Sequence, residues 1–125
     1  MDPAPKMTLS SVVLGAPDAR ELAAFYQQIF GWTVVEDEPD WVRLRPPDDG
    51  PGLSFQTETG HIRPTWPANP GDQQMMMHLD IEVDDLDAAG ASAVSAGAIL
   101  AEFQPLDGVR IYFDPAGHPF CLFIS

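Results

Sequence analysis

From Met7 to Leu14 the residues are apolar or hydroxylic throughout and rich in β-branched types, which predicts a strand that Gly15 and Pro17 should stop. Helical spacing follows. Leu22, Phe25, Tyr26 and Ile29 recur three or four positions apart, behind Asp18 as N-cap and Glu21 placed as in a capping box, and Gly31 closes the run. Alternating segments at 32–36, 41–45 and 53–57 then predict three short strands, parted by polar and proline-rich turns. Between 59 and 74 lie Pro64, Pro67, Pro70 and two glycines, which exclude a central strand or a helix and predict a long connection. Beyond it the order begins again: a strand over 76–83, an alanine-rich helix opening at Asp84 and Asp85 and ending near Gly97, and strands over 99–102, 109–113 and 120–124.

The second half therefore repeats the first, at an offset of about 67 residues. Val12, Leu14 and Ala16 fall on Leu79, Ile81 and Val83, each strand runs into an aspartate at a helix start, and Gly31 and Gly97 close the two helices. Two βαβββ modules packed together give an α+β protein: a curved, incomplete barrel with helices outside and a concave cleft. The expected domain covers 7–125, with module one at about 7–58, the linker at about 59–74, module two at about 75–125, and an N-terminal arm at 1–6.

Composition narrows the classes. A chain of 125 residues and 13.6 kDa, 45% hydrophobic, supports one core without covalent staples, and the lone Cys121 cannot form an intrachain disulfide. A formal net charge of -13 repels nucleic-acid phosphates, so no nucleic-acid partner is expected. No apolar run approaches the roughly 18 to 20 residues that span a bilayer, and residues 1–6 lack the apolar stretch of an export signal. A cytoplasmic protein without a membrane partner is the expectation.

The chain resembles the glyoxalase, bleomycin-resistance and extradiol-dioxygenase superfamily, also called the vicinal oxygen chelate family. The resemblance rests on Ala24-Phe25-Tyr26 with Phe30-Gly31-Trp32, on the run from His78 to Leu86, and on the run from Asp114 to Phe120. The last two are similar to the glyoxalase-like subgroup common in high-GC bacteria. In metal-using relatives, ligands come from the first and last strand of each module. The resemblance puts those positions at Ser11, His78 and Cys121, with Ser54 or Gln56 as the fourth. Only His78 suits a hard ion, so no cofactor is expected and a divalent metal is disfavoured.

Strand alternation sorts the remaining candidates. With Leu79, Ile81 and Val83 toward a helix, His78, Asp80 and Glu82 face the cleft. The same rule sends Trp41, Arg43 and Arg45 there, and Arg110 and Tyr112 away from Val109, Ile111 and Phe113. Ser11, Ser54, Gln56, Cys121 and Phe123 join them. Such a polar and aromatic surface serves either as an ion-pair network or as a ligand pocket. In the pocket reading, Trp41, Arg43, Gln56, His78, Asp80, Arg110, Tyr112 and Cys121 contact the ligand, and His78 or Glu82 is the candidate general base. Trp66, with His61 and Arg63, is either a lid or an aromatic tucked under its loop. Met75, Met76 and Met77 are read as packing residues and His118 as a structural turn residue.

The expected function is binding of a small aromatic or anionic metabolite or drug, in a homodimer of the kind relatives use to complete their clefts. The alternative is a metal-dependent lyase, isomerase or dioxygenase of the same superfamily. Whether a reaction is catalysed stays open at this point.

Overall fold

A computed structural model describes residues 4–125; positions 1–3 of the expected arm lie outside the described residues. Module one consists of β1 (Ser11–Ala16), α1 (Ala19–Phe30), β2 (Thr33–Glu38), β3 (Trp41–Arg45) and β4 (Gly52–Thr57). Module two repeats it with β5 (Leu79–Glu82), α2 (Leu86–Ala96), β6 (Ile99–Leu100), β7 (Val109–Phe113) and β8 (Pro119–Phe123). Each module folds one four-stranded sheet, ordered β1-β4-β3-β2 and β5-β8-β7-β6. The first and last strands of each module pair in parallel, and the remaining pairs are antiparallel.

Both helices start and stop where their residues dictate. Asp18 accepts hydrogen bonds from the Arg20 and Glu21 amides, Asp85 accepts from Ala88, and Gly31 ends α1 in the left-handed conformation at φ 70°. Strand limits moved where pairing partners ran out. The first strand begins at Ser11 rather than Met7 and continues through Gly15, because β4 supplies partners from Gly52 to Thr57. Similarly, β5 begins at Leu79, the partner of Phe120, and leaves Met76 and Met77 exposed ahead of it. The sixth strand shrinks to Ile99 and Leu100.

The sheets do not close into a barrel. Instead, one face of each packs into a shared core. Val42, Leu44, Leu53 and Phe55 from module one meet Tyr112, Phe120 and Leu122 from module two around Phe25 and Tyr26 of α1. The Tyr26 ring lies between the modules, 5.6 Å from Phe55 and 6.3 Å from Phe120 by ring centroids. Its hydroxyl donates to Asp114 Oδ2 at 2.7 Å, and Asp114 Oδ1 accepts from the amides of Ala116 and His118. His118 in turn touches the Gly15 carbonyl through Nε2 at 2.6 Å, which fits its reading as a turn residue. The inner, helix-side faces of the two sheets are thus committed to one core.

Candidate functional site

The face of module one opposite its helix carries Trp41, Arg43 and Gln56, as alternation predicted: Arg43 pairs with Ser54 and Trp41 with Gln56 across β3 and β4. Arg43 donates to Ser10 Oγ at 2.7 Å and lies 3.6 Å from Glu36, which also accepts from Trp41 Nε1 at 2.7 Å. Gln56 donates to Glu58. Ser11 and Ser54 share a 2.6 Å hydrogen bond with Ser54 fully buried, so the two hydroxyls satisfy each other. A cavity of about 350 Å³ opens at the Arg43 and Arg45 end, rimmed by Asp48 and Asp49.

On the face of module two, β5 and β8 pair in register, Asp80 opposite Cys121, and His78 stands two residues before Asp80 on the same side. His78 Nε2 lies 3.1 Å from Asp80 Oδ1. The Cys121 thiol is buried, directly opposite Asp80. Burial, reinforced by the neighbouring Asp80 carboxylate, pushes the thiol up to about 11. It is therefore protonated at neutral pH and is a poor free nucleophile. Trp66 stacks on His78 with ring centroids 5.0 Å apart and packs beside Ala101, Ile111 and Cys121. The linker is pinned separately, by His61 to the Ala116 carbonyl and Arg63 to the Pro115 carbonyl, each at 2.7 Å. Trp66, His78, Asp80, Val109, Ile111 and Phe123 are among the walls of a cavity of about 430 Å³.

Two expected members of the cleft sit elsewhere. Arg110 and Tyr112 lie on the helix side of β7, because Ile111 pairs with Cys121 and Tyr112 with Phe120. Tyr112 is buried, stacking on Phe120 at 5.6 Å. The cause is α2, whose alanines and Gly90 leave space that the Tyr112 ring fills; an added Cβ at Gly90 would collide with the Tyr112 hydroxyl. Val109, Ile111 and Phe113 face the cavity side instead, under Trp66. Glu82 keeps the predicted face, opposite Phe123, yet lies outside the walls of the cavity that His78 and Asp80 line. Ile111 and Leu106, both walls of that cavity, were not singled out from sequence; apolar residues on a strand and in a turn carry no distinguishing signal.

The four strand positions implied by the family resemblance do not suit a hard divalent ion. Ser11 and Ser54 offer neutral hydroxyls already bonded to each other, and Gln56 offers an amide. Ser11, Ser54 and Gln56 all belong to the module-one sheet.

Comparison with known families matches residues 11–123 to the family described as Glyoxalase-like domain. Among solved structures, the chain is similar to a glyoxalase/bleomycin resistance protein/dioxygenase family enzyme from Burkholderia phytofirmans PsJN. The two are 21% identical, with a TM-score of 0.70 over 94% of this chain and 98% of that one. It is also similar to the fosfomycin resistance protein FosX from Listeria monocytogenes, at 16% identity and a TM-score of 0.70 over 97% of this chain and 95% of that one. A third, lactoylglutathione lyase from Agrobacterium tumefaciens, is 17% identical with a TM-score of 0.62 over 98% and 96% of the two chains. At these identities the likeness is one of fold. No curated protein matches the sequence.

Proposed function

We propose that this chain, which belongs to the Glyoxalase-like domain family, binds a small organic molecule with an aromatic or anionic part in a cleft that two copies complete. The observation that carries this reading is the module-two cavity. About 430 Å³ of space has Trp66, Ile111 and Phe123 as apolar walls and His78 and Asp80 as convergent polar groups, which is how small-molecule sites are built.

Homodimerisation is part of the proposal. Strands β1 and β5 are sheet edges within one chain, and Val13, Met76 and Met77 are exposed beside them. Docking the module-one face of one copy on the module-two face of another sets Arg43 and Arg45 toward Asp80 and Asp107, an arrangement of opposite charges. The arginines then supply the fork for an anionic group while Trp66 supplies the apolar wall.

Sedimentation and a thermal-shift panel of aromatic acids, phosphonates and antibiotics test this. A dimer with at least one saturable ligand is expected, and Arg43→Ala and Trp66→Ala each weaken that ligand. Mixed one to one, the two variants regain roughly a quarter of the clefts, because a heterodimer carries one intact cleft and one doubly damaged cleft. A monomer at all concentrations, or no saturable ligand across the panel, overturns the reading.

A further inference from the structure

We infer that the groove between the linker and the edge strand β6 is a second ligand site, built for a monoanionic amphiphile: a carboxylate head, held by Arg63, on an apolar body. The groove encloses about 580 Å³, and Trp66, Ile99, Phe103 and Phe113 are its apolar walls. Trp66 meets Phe103 edge-on with ring centroids 6.2 Å apart, so two aromatic rings form one corner of it. Strand β6 lies at the outer edge of the module-two sheet. There Ile99 is 59% exposed, Leu100 52% and Phe103 40%. Large apolar side chains clustered in so short a segment and left open to water beside a groove mark a binding surface.

Arg63 gives that surface its chemistry. Its Nη1 donates to the Pro115 carbonyl at 2.7 Å, the one hydrogen bond of this side chain among the described residues, so most of its N–H donors stay available. Ion pairs among the described residues join Arg20 to Asp37, Arg43 to Glu36 and His78 to Asp80. In a chain with nineteen acidic residues, Arg63 thus has no carboxylate partner among those described. A turn fixes its position: a Cβ at Gly117, where φ is 90°, would stand 3.0 Å from Arg63 Cβ and 3.1 Å from its Nε, so the side chain lies across a gap that glycine leaves. A guanidinium held in place beside apolar walls complements a carboxylate, which it grips with two parallel hydrogen bonds. Glu102, an exposed wall of the same groove, repels a second negative group, which makes the occupant a monoanion. The site is independent of the cavity in the proposed function. The two share Trp66 as a wall, but neither His78 nor Asp80 lines the groove, Arg63 does not line the cavity, and the groove needs no second copy.

Calorimetric titration of the full chain with octanoate, octanol and octylamine at neutral pH tests the inference. Octanoate is expected to bind saturably and about tenfold or more tighter than octanol, as hydrogen bonds to a charged group provide. Arg63→Gln lowers octanoate to the octanol level and leaves octanol unchanged, which shows the groove intact. Phe103→Ser weakens both, and Glu102→Gln tightens octanoate by roughly two- to fivefold. Leu106→Ser, in the wall of the other cavity, changes neither. Octanol or octylamine binding as tightly as octanoate overturns the inference, as does octanoate affinity unchanged in Arg63→Gln. Loss of octanoate in Leu106→Ser also overturns it, because the molecule would then sit in the other cavity. Should Arg63→Gln fail to fold, the wild-type order of the three probes together with Phe103→Ser decides the matter. A monomer, or a His78 cavity that takes no ligand, defeats the proposed function and leaves these expectations as they are.

Discussion

Replacing Asp114 with alanine is expected to destabilise the protein by roughly 3 to 5 kcal/mol, because it strands two buried donors and a partly buried one at once. Those donors are the Tyr26 hydroxyl and the amides of Ala116 and His118. Since Tyr26 belongs to α1 and Asp114 to the turn before β8, the loss falls on the contact between modules as well as on the turn. A fall in melting temperature of roughly 10 to 20 °C would accompany it. Tyr26→Phe orphans only one acceptor position and should cost less, about 1 to 3 kcal/mol. Asp114→Asn retains the two amide bonds and offers its own amide to the Tyr26 oxygen, so it is the mildest of the three. Equilibrium denaturation of the four proteins gives the ranking; an Asp114→Ala variant as stable as wild type would show that water replaces the carboxylate.

The same residue gives a signed pH prediction. Burial raises the Asp114 carboxyl above its ordinary value near 3.8, against the opposing pull of the His118 charge and the hydrogen bonds it accepts. A raised folded-state value means the folded protein favours the protonated form. The stabilising contribution is then full below the unfolded value and is lost as pH rises through the folded one. Relative to Asp114→Asn, wild type should gain stability as pH falls from neutral toward 3.8. Comparing the two proteins cancels the general relief of acidic self-repulsion, which both share. A flat difference across that range would show that Asp114 titrates normally.

Much of this scaffold could be read from local chemistry. Asp18 and Asp85 as caps, Gly31 and Gly97 as stops, and the matched alternation of Val12-Leu14-Ala16 with Leu79-Ile81-Val83 are short-range signals, and each element formed where they pointed. The facing of Trp41, Arg43 and Gln56 was legible for the same reason: β3 has one strongly apolar side, Val42 and Leu44, and a polar one. On β7 that reasoning fails. Both faces are covered, one by α2 and the other by the linker's Trp66, so polarity no longer marks which side meets the helix. What sets the facing is the pairing of Ile111 with Cys121, across a turn, and the need of an alanine-rich helix for a large ring. Neither can be read from β7 by itself. The relation of the two sheets was hidden for a similar reason, since it depends on Tyr26 meeting an aspartate 88 residues away. Alternation put Asp80 on the side of β5 away from Leu79 and Ile81, but that Cys121 lies directly opposite it needs the β5–β8 register.

That account of Tyr112 makes a prediction whose sign runs against helix propensity. Alanine in place of glycine inside an exposed helix normally stabilises by about 1 kcal/mol. Gly90→Ala is instead expected to destabilise by roughly 1 to 3 kcal/mol, as overpacked cores do. The new methyl would collide with the Tyr112 oxygen and stand 3.3 Å from its Cζ, and stacking on Phe120 limits how far the ring can retreat. Removing the oxygen removes most of the clash. In Tyr112→Phe the Gly90→Ala change should therefore cost little or become favourable, and a double-mutant cycle should show a coupling of about 1 kcal/mol or more. Urea unfolding of the four proteins measures it. If Gly90→Ala destabilises equally with tyrosine or phenylalanine at 112, the close approach of ring and helix is not what keeps glycine at this position, and the packing argument for the orientation of β7 fails with it.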